Sequence, residues 1–324
     1  MRTFAHVDAQ TIDEAVSALR RFGDKAEIIA GGTDILGRMK DEILPRYPEA
    51  LINIKTVPGL DYIREDGDGL KIGALTRLED IAKDMTVKAG YGALAEAAHR
   101  TASPHLREMG TIGGNICQDI RCWYYRNPQN RFPCLRKGGG RCYAIEGDNR
   151  YHSIFGGSVK QGCYAVHPSD TAPALIALDG RIETSKRTIK AEDFFAVGVR
   201  KTTVLDHDEI VKEIRVPKPS GQSRSAFLKF AIRKTIDFPI VNCAVLISTI
   251  DGNVSAARIC LNAVYVKPYK AEEAEKFILG KRIDETTAEA AGEVAVAGAK
   301  PMSCNRYMVQ IAKTLVKRAL LACV

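Results

Sequence analysis

The chain is 324 residues long, with 45% hydrophobic and 27% charged residues, the balance of a soluble globular protein built from two or three compact units. Its net charge of +8 is spread along the sequence, and the short basic pairs Arg136-Lys137 and Lys186-Arg187 are not interleaved with aromatics, which argues against nucleic-acid binding. No run of about eighteen apolar residues occurs and Met1-Arg2-Thr3-Phe4 lacks a signal-like apolar core. No membrane span is therefore expected, and the chain is placed in the cytoplasm, or in the periplasm if a partner carries an export signal.

Residues 11–22 read as a helix: Thr11 caps it, Glu14 completes a capping box, and Ala15, Ala18, Leu19 and Phe22 share one apolar face. Residues 26–30 form a buried strand that ends in Gly31-Gly32-Thr33-Asp34. A helix begins over 35–39, and 51–54 is a further strand; together these make a small α/β unit. A strand over 69–75, helices over 77–83 and 92–100, and a second glycine turn over 109–115 follow. From 121 to 162 neither helical nor strand periodicity persists, and so long a structureless stretch inside a compact domain needs something to organise it. Order returns with a helix over 171–178, a hairpin over 181–189 and a strand over 209–216 stopped by Pro217. Residues 217–221 read as a linker. Beyond it lie strands over 225–232, 241–250 and 254–264, and helices over 271–279, 285–297 and 305–321.

Two features carry chemistry. The segment Ala30-Gly31-Gly32-Thr33-Asp34 joins a strand to a helix, and Thr111-Ile112-Gly113-Gly114-Asn115 repeats the theme. Glycines let a backbone approach a ligand closely and aim successive N–H groups at one point, which suits a diphosphate. Neither segment is a Walker or a Rossmann loop. The second feature is cysteine: of nine, Cys117, Cys122, Cys134, Cys142 and Cys163 fall within 47 consecutive positions. In a reducing compartment such clustering points to metal or catalysis rather than disulfides. Cys243, Cys260, Cys304 and Cys323 are scattered among apolar neighbours and read as small core residues. Four thiolates suit an iron–sulfur cluster or a structural zinc, and zinc sites generally use Cys-x-x-Cys hooks, which are missing here. On the residues alone, cluster, zinc and metal-free loop stay open. The six histidines are scattered, with no Ser-His-Asp order and no zinc helix, so substrate chemistry is not expected on this chain.

The segments Ile28 to Ile35, Gly110 to Asn115 and His167 to Leu175 (I-I-A-G-G-T-D-I, G-T-I-G-G-N, H-P-S-D-T-A-P-A-L) occur in this order. With them the chain resembles, nearly end to end, the FAD-binding medium subunits of the xanthine oxidase, or molybdenum hydroxylase, family. The resemblance implies an α+β fold, with a two-subdomain FAD-binding domain of the vanillyl-alcohol oxidase type over 1–217 (subdomains about 1–55 and 56–217). A C-terminal domain over 222–324 would pair an antiparallel sheet of three or four strands with helices. It implies that Ile28, Ile29, Ala30, Gly31, Gly32, Thr33, Asp34 and Ile35, with Thr111, Gly113, Gly114 and Asn115, wrap the FAD diphosphate. Asp170, Val211, Lys229 and, more loosely, Thr101 would contact the flavin part.

The connection between the second glycine segment and the H-P-S-D motif is longer than the family's common form. Its Arg121-Cys122-Trp123-Tyr124-Tyr125-Arg126 and its later cysteines resemble the iron–sulfur loops of 4-hydroxybenzoyl-CoA reductase and of bacterial aldehyde oxidoreductase flavin subunits. That likeness implies a [4Fe-4S] cluster on Cys122, Cys134, Cys142 and Cys163 within a loop over 117–163, with Cys117 spare. The seven basic residues from Arg121 to Arg150 would favour a net-negative cluster. The family also implies partners: a large molybdopterin subunit, a small subunit with two [2Fe-2S] clusters, assembly as a dimer of heterotrimers (a heterohexamer), and a ferredoxin-like or other external redox partner. A flavoprotein whose loop holds structural zinc and serves interaction is the alternative.

Overall fold

The computed structural model describes residues 1–158, 162–199 and 201–324. Strand β1 (Ala5–Asp8), helix α1 (Ile12–Phe22), β2 (Ala26–Ile29), α2 (Ile35–Lys40) and β3 (Ala50–Asn53) come first. Their strands form a parallel sheet in the order β1-β3-β2, with Ala50 of β3 level with both Ala5 and Ala26. The central strand is buried throughout, as a strand covered on both faces must be. Thr11 accepts from the N–H of Glu14 as the cap of α1, and Glu14 returns the bond to Gln10, one residue before the expected position.

Next come β4 (Ile63–Asp66), β5 (Gly69–Gly73) and five short helices: α3 (Leu78–Lys83), α4 (Met85–Gly90), α5 (Gly92–His99), α6 (Pro104–Met109) and α7 (Ile112–Cys117). After the cysteine loop follow α8 (Thr171–Ala177), β6 (Arg181–Thr184), β7 (Thr188–Lys190) and β8 (Val211–Pro217). These strands make an antiparallel sheet ordered β4-β5-β8-β6-β7, in which the last strand of the sequence takes the central place. Alanines on α5 and α8 let those helices approach closely, and their core is shared with Phe227, Ala244 and Cys260 from beyond Pro217.

The rest of the chain contains β9 (Ser223–Phe230), β10 (Val241–Ile250), β11 (Asn253–Asn262), β12 (Tyr269–Lys270), α9 (Glu272–Ile278), α10 (Glu285–Val296) and α11 (Tyr307–Leu321). The sheet is antiparallel, ordered β12-β11-β10-β9. Strand alternation sends Val241, Cys243, Val245 and Ile247 into a core with α9, α10 and α11, while Ala244 faces the core of α5 and α8. A mixed α/β chain whose C-terminal part packs an antiparallel sheet against helices is thus observed. Among the described residues, no helix is long and apolar enough to cross a membrane.

Two readings change. The second glycine turn is not a free loop: Gly113 and Gly114 lie inside the short helix α7, capped by Thr111. The short elements β1, β4, α4, α6 and β12 were not read from the sequence. Between Arg121 and Gly162 the described residues carry only two single-turn 3-10 helices, Pro128–Asn130 and Leu135–Lys137.

Candidate cofactor sites

A cleft of about 500 Å³ opens between the first sheet, α7 and the loop that joins β9 to β10. The first glycine segment forms one wall. At Gly31 an added Cβ would stand 1.9 Å from the carbonyl oxygen of Met109, so only glycine lets this loop close on the segment before α7. Gly32 has φ +73°, a left-handed conformation that glycine adopts without strain. The N–H groups of Gly31, Gly32, Thr33 and Asp34 have no acceptor among the described residues, so they are available to a ligand.

The second glycine segment behaves differently. Four of its five N–H groups are already used: Ile112 donates to the carbonyl of Thr76, Gly113 to that of Ala74, Gly114 to Thr111 Oγ1 and Asn115 to the carbonyl of Thr111, while that of Thr111 has no acceptor among the described residues. The two glycine segments therefore differ in what they offer a ligand: four free amides at Gly31 to Asp34, and that of Thr111 alone in the second, where the capped helix takes the rest. A Cβ at Gly113 would lie 2.9 Å from the Ala74 carbonyl oxygen, so glycine lets α7 pack closely on Ala74.

Of the sequence-derived positions, Ile28, Ala30, Gly31, Gly32, Thr33, Asp34, Ile35, Thr101, Thr111, Gly113, Gly114, Asn115, Asp170 and Val211 line this cleft. Ile29 does not, because strand alternation turns it into a separate apolar cluster with Met39 and Leu51. Lys229 is not at the wall either. Its Nζ is 2.7 Å from Asp170 Oδ2 and 2.9 Å from the carbonyl of Arg100, with the side chain only 4% exposed. Lys229 is thus a strut behind Asp170, held there by the need of a buried ammonium for a counter-charge. Asn242 donates to the other oxygen of Asp170 at 2.8 Å. Burial pushes the Asp170 carboxyl upward against the pull of Lys229 and Asn242. Asn115 accepts from both Ser169 and Thr171, tying α7 to the start of α8.

The sequence reading missed an ionic group at the cleft's edge. Asp34 faces Arg126 at 2.7 Å, Arg121 at 3.3 Å and Arg38 at 3.7 Å, and its Oδ2 accepts the Asp119 N–H at 3.0 Å. Burial raises the Asp34 carboxyl, but Arg126 and Arg38 outweigh it and hold it down at about 2. Burial, then the charge of Arg126, brings Arg121 down to about 10. Arg38 and Arg121 line the cleft, as do Gln118 and Ile236, Asp237 and Phe238. A hint was present: Arg38 stands one turn after Asp34 on α2, a spacing that pairs side chains.

The cysteine loop packs as one apolar cluster holding Cys122, Cys134, Cys142 and Cys163 together with Ile43, Ile120, Tyr125 and Val266. Cys117 belongs elsewhere, at the end of α7 against the central core, where burial pushes its thiol up to about 12. Among the described residues, no three His, Cys, Asp or Glu side chains are grouped closely enough to hold a metal ion. The four thiols are neighbours rather than a closed ligand set. Burial also pushes Cys122 up to about 12 and raises Cys134 and Cys142, and a charge on Cys163 would raise all three further. Opposing this, the nearby backbone amides of Tyr125 and Tyr124 lower Cys122, those of Arg136 and Lys137 lower Cys134, and those of Tyr164, Ala144 and Ile145 lower Cys142. Arg136 Nε donates to Cys163 Sγ at 3.3 Å and His152 Nε2 lies 3.2 Å from Cys122 Sγ. Arg136 Nη2 and Lys137 Nζ are buried with no partner among the described residues. Cys122, Cys134, Cys142 and Cys163, with Arg136 and Lys137 beside them, are the residues that could hold an anionic thiolate-bound group.

Comparison with known proteins places these features. Residues 2–219 match the FAD binding domain in molybdopterin dehydrogenase, and 226–323 match the CO dehydrogenase flavoprotein C-terminal domain. The chain is 32% identical to the aldehyde oxidoreductase FAD-binding subunit PaoB of Escherichia coli, covering 97% of this chain and 96% of that one. It is 31% identical to the carbon monoxide dehydrogenase medium chain of Hydrogenophaga pseudoflava, covering 98% and 96%. A structure of the Hydrogenophaga pseudoflava carbon monoxide dehydrogenase lacking the Mo-pyranopterin moiety of its cofactor superposes with a TM-score of 0.79 at 29% identity, over 99% of this chain and 97% of that one. With a family match over most of its length and this cleft between its two glycine segments, the chain belongs to the FAD-binding medium subunits of the molybdenum hydroxylases and is an oxidoreductase subunit.

Proposed function

We propose that this chain carries FAD in the cleft and a [4Fe-4S] cluster on Cys122, Cys134, Cys142 and Cys163, and that it relays electrons between a two-[2Fe-2S] subunit and an external redox partner. The observation that carries the reading is the pairing of a glycine-walled cleft with a cluster of four thiols beside the buried, unpartnered donors Arg136 Nη2 and Lys137 Nζ. Bound flavin exchanges electrons in pairs or singly and a cluster exchanges them singly, which suits a junction between such carriers.

The chain's own residues supply the setting. The free N–H groups of Gly31 to Asp34 meet a diphosphate, and Asp170, fixed by Lys229 and Asn242, presents a carboxylate toward the flavin part. Val211 gives an apolar surface beside it. Arg136 and Lys137 offset negative charge at the four sulfurs, and Trp123, Tyr124 and Tyr143 pack over the loop with His152. Domain limits follow the same reading, with an FAD-binding part over 1–217 and a C-terminal part over 222–324. Substrate chemistry belongs to a molybdopterin-carrying large subunit, in a dimer of heterotrimers with the small iron–sulfur subunit. A ferredoxin-like carrier is the proposed external partner, and the cytoplasm the proposed compartment.

Anaerobic iron, zinc and acid-labile sulfide analysis of the purified chain tests the reading. About four irons and four sulfides per chain with a flavin spectrum are expected. One zinc and no sulfide would replace the cluster by a structural metal, because a zinc tetrathiolate carries the same net charge and fits the same cations.

A further inference from the structure

The guanidinium groups at the edge of the cleft are under-bonded. Arg126 is fully engaged, donating to Asp34 and to the carbonyls of Asp119 and Ile120. Arg38 and Arg121 are not. The contacts of Arg38 with Glu27, Asp119 and Asp34 are 3.4, 3.4 and 3.7 Å, and the contact of Arg121 with Asp34 is 3.3 Å. The Nε atom of each is buried without a hydrogen-bond partner among the described residues. Three arginines here face Asp34 and Asp119, with Glu27 reaching only Arg38 and 39% exposed. Buried donors left unmade are costly, so the arrangement calls for an acceptor that enters the cleft.

The guanidinium carbon of Arg121 lies 3.9 Å from the centre of the Phe238 ring, which also lines the cleft. A guanidinium held over an aromatic ring keeps N–H groups in its own plane for bonding to phosphate. Arg38 and Arg121 share the cleft with the free amides of Gly31 to Asp34.

We infer that Arg121, oriented by Phe238 and assisted by Arg38, recognises phosphate oxygens in the cleft and makes it selective for a flavin bearing a diphosphate over one without. The inference rests on the reading of the cleft as the FAD site. It adds a charge-based recognition that the glycine segments alone do not provide. The phosphate has two conceivable sources, the FAD diphosphate or the phosphate of a second nucleotide, and the inference assigns it to FAD.

The test is titration of the full-length chain, stripped of flavin, with FAD and with riboflavin at two ionic strengths, for wild type, Arg121→Gln and Phe238→Leu. Wild type is expected to prefer FAD strongly, with affinity that falls as salt rises. Arg121→Gln should weaken FAD about tenfold or more, leave riboflavin affinity unchanged and flatten the salt dependence. Phe238→Leu should give a smaller loss of the same kind. Riboflavin affinity also reports folding: an equal loss for both flavins, or an unchanged FAD affinity in Arg121→Gln, overturns the inference. Binding of inorganic pyrophosphate to the FAD-loaded wild type but not to FAD-loaded Arg121→Gln overturns it in favour of a second nucleotide. If wild type binds no FAD, the proposed function falls and the inference with it, whereas wild-type binding with an unaltered variant removes the inference alone.

Discussion

At Gly31 the carbonyl oxygen of Met109 stands 1.9 Å from where a Cβ would be, while at Gly37, on the outer side of α2, nothing lies within 4 Å. The two glycines, six residues apart, therefore predict opposite outcomes. Gly31→Ala should cost about 2 kcal/mol or more through forced backbone movement and should lower bound flavin. Gly37→Ala should stabilise by up to about 1 kcal/mol, because alanine is the better helix former. Chemical denaturation and flavin content of the purified variants check both. At the cysteines the contrast is one of surroundings. Cys117→Ser should leave iron content unchanged, since Cys117 packs in the central core, whereas Cys122→Ser or Cys163→Ser should lose iron. Iron analysis of the three variants decides whether Cys117 stands outside the ligand set.

At the scale of elements, the loop before α2 and the start of the cysteine loop are joined through Asp34 and its arginines. The Asp34 carboxyl is held at about 2, below its ordinary 3.8. A depressed carboxylate contributes stability that is present in full above pH 3.8 and is lost as pH falls toward 2, here about 2 kcal/mol. Asp34→Asn should abolish that part of the acid dependence. It should also destabilise the chain by about 3 kcal/mol at neutral pH, because buried arginines lose their counter-charge. Unfolding free energies at pH 3 and pH 7 for wild type and variant measure this. These ionic ties also show where the sequence was legible. Elements with a capping residue and a clean period, such as α1, β10 and α10, were read almost to the residue. The strands β1 and β12 span four and two residues, too short to show a period. The packing of α7 depended on Thr76 and Ala74, which accept its amides from a distant part of the chain. Likewise the motif segments brought most of the cleft together, but the place of Lys229 behind Asp170 and the contributions of Arg121 and Phe238 arise from tertiary contact alone.

At the scale of the whole molecule, the cysteine loop lies beside the cleft because Arg121 and Arg126, on either side of Cys122, both reach Asp34 of the first glycine segment. Behind the cleft, Asp170 at the head of α8 is fixed from β9 and β10 by Lys229 and Asn242, so the C-terminal sheet supports the cleft wall without lining it at those residues. The account predicts that a change in either site is felt in the other: iron removal should weaken FAD binding by the same factor by which FAD removal weakens retention of the metal. The most direct measurement of the central claim is an anaerobic reductive titration of the purified, cofactor-loaded chain followed by absorbance. Uptake of about three electrons per chain, two bleaching a flavin and one a [4Fe-4S] cluster, is the predicted result, and uptake of only about two, all by flavin, would contradict it.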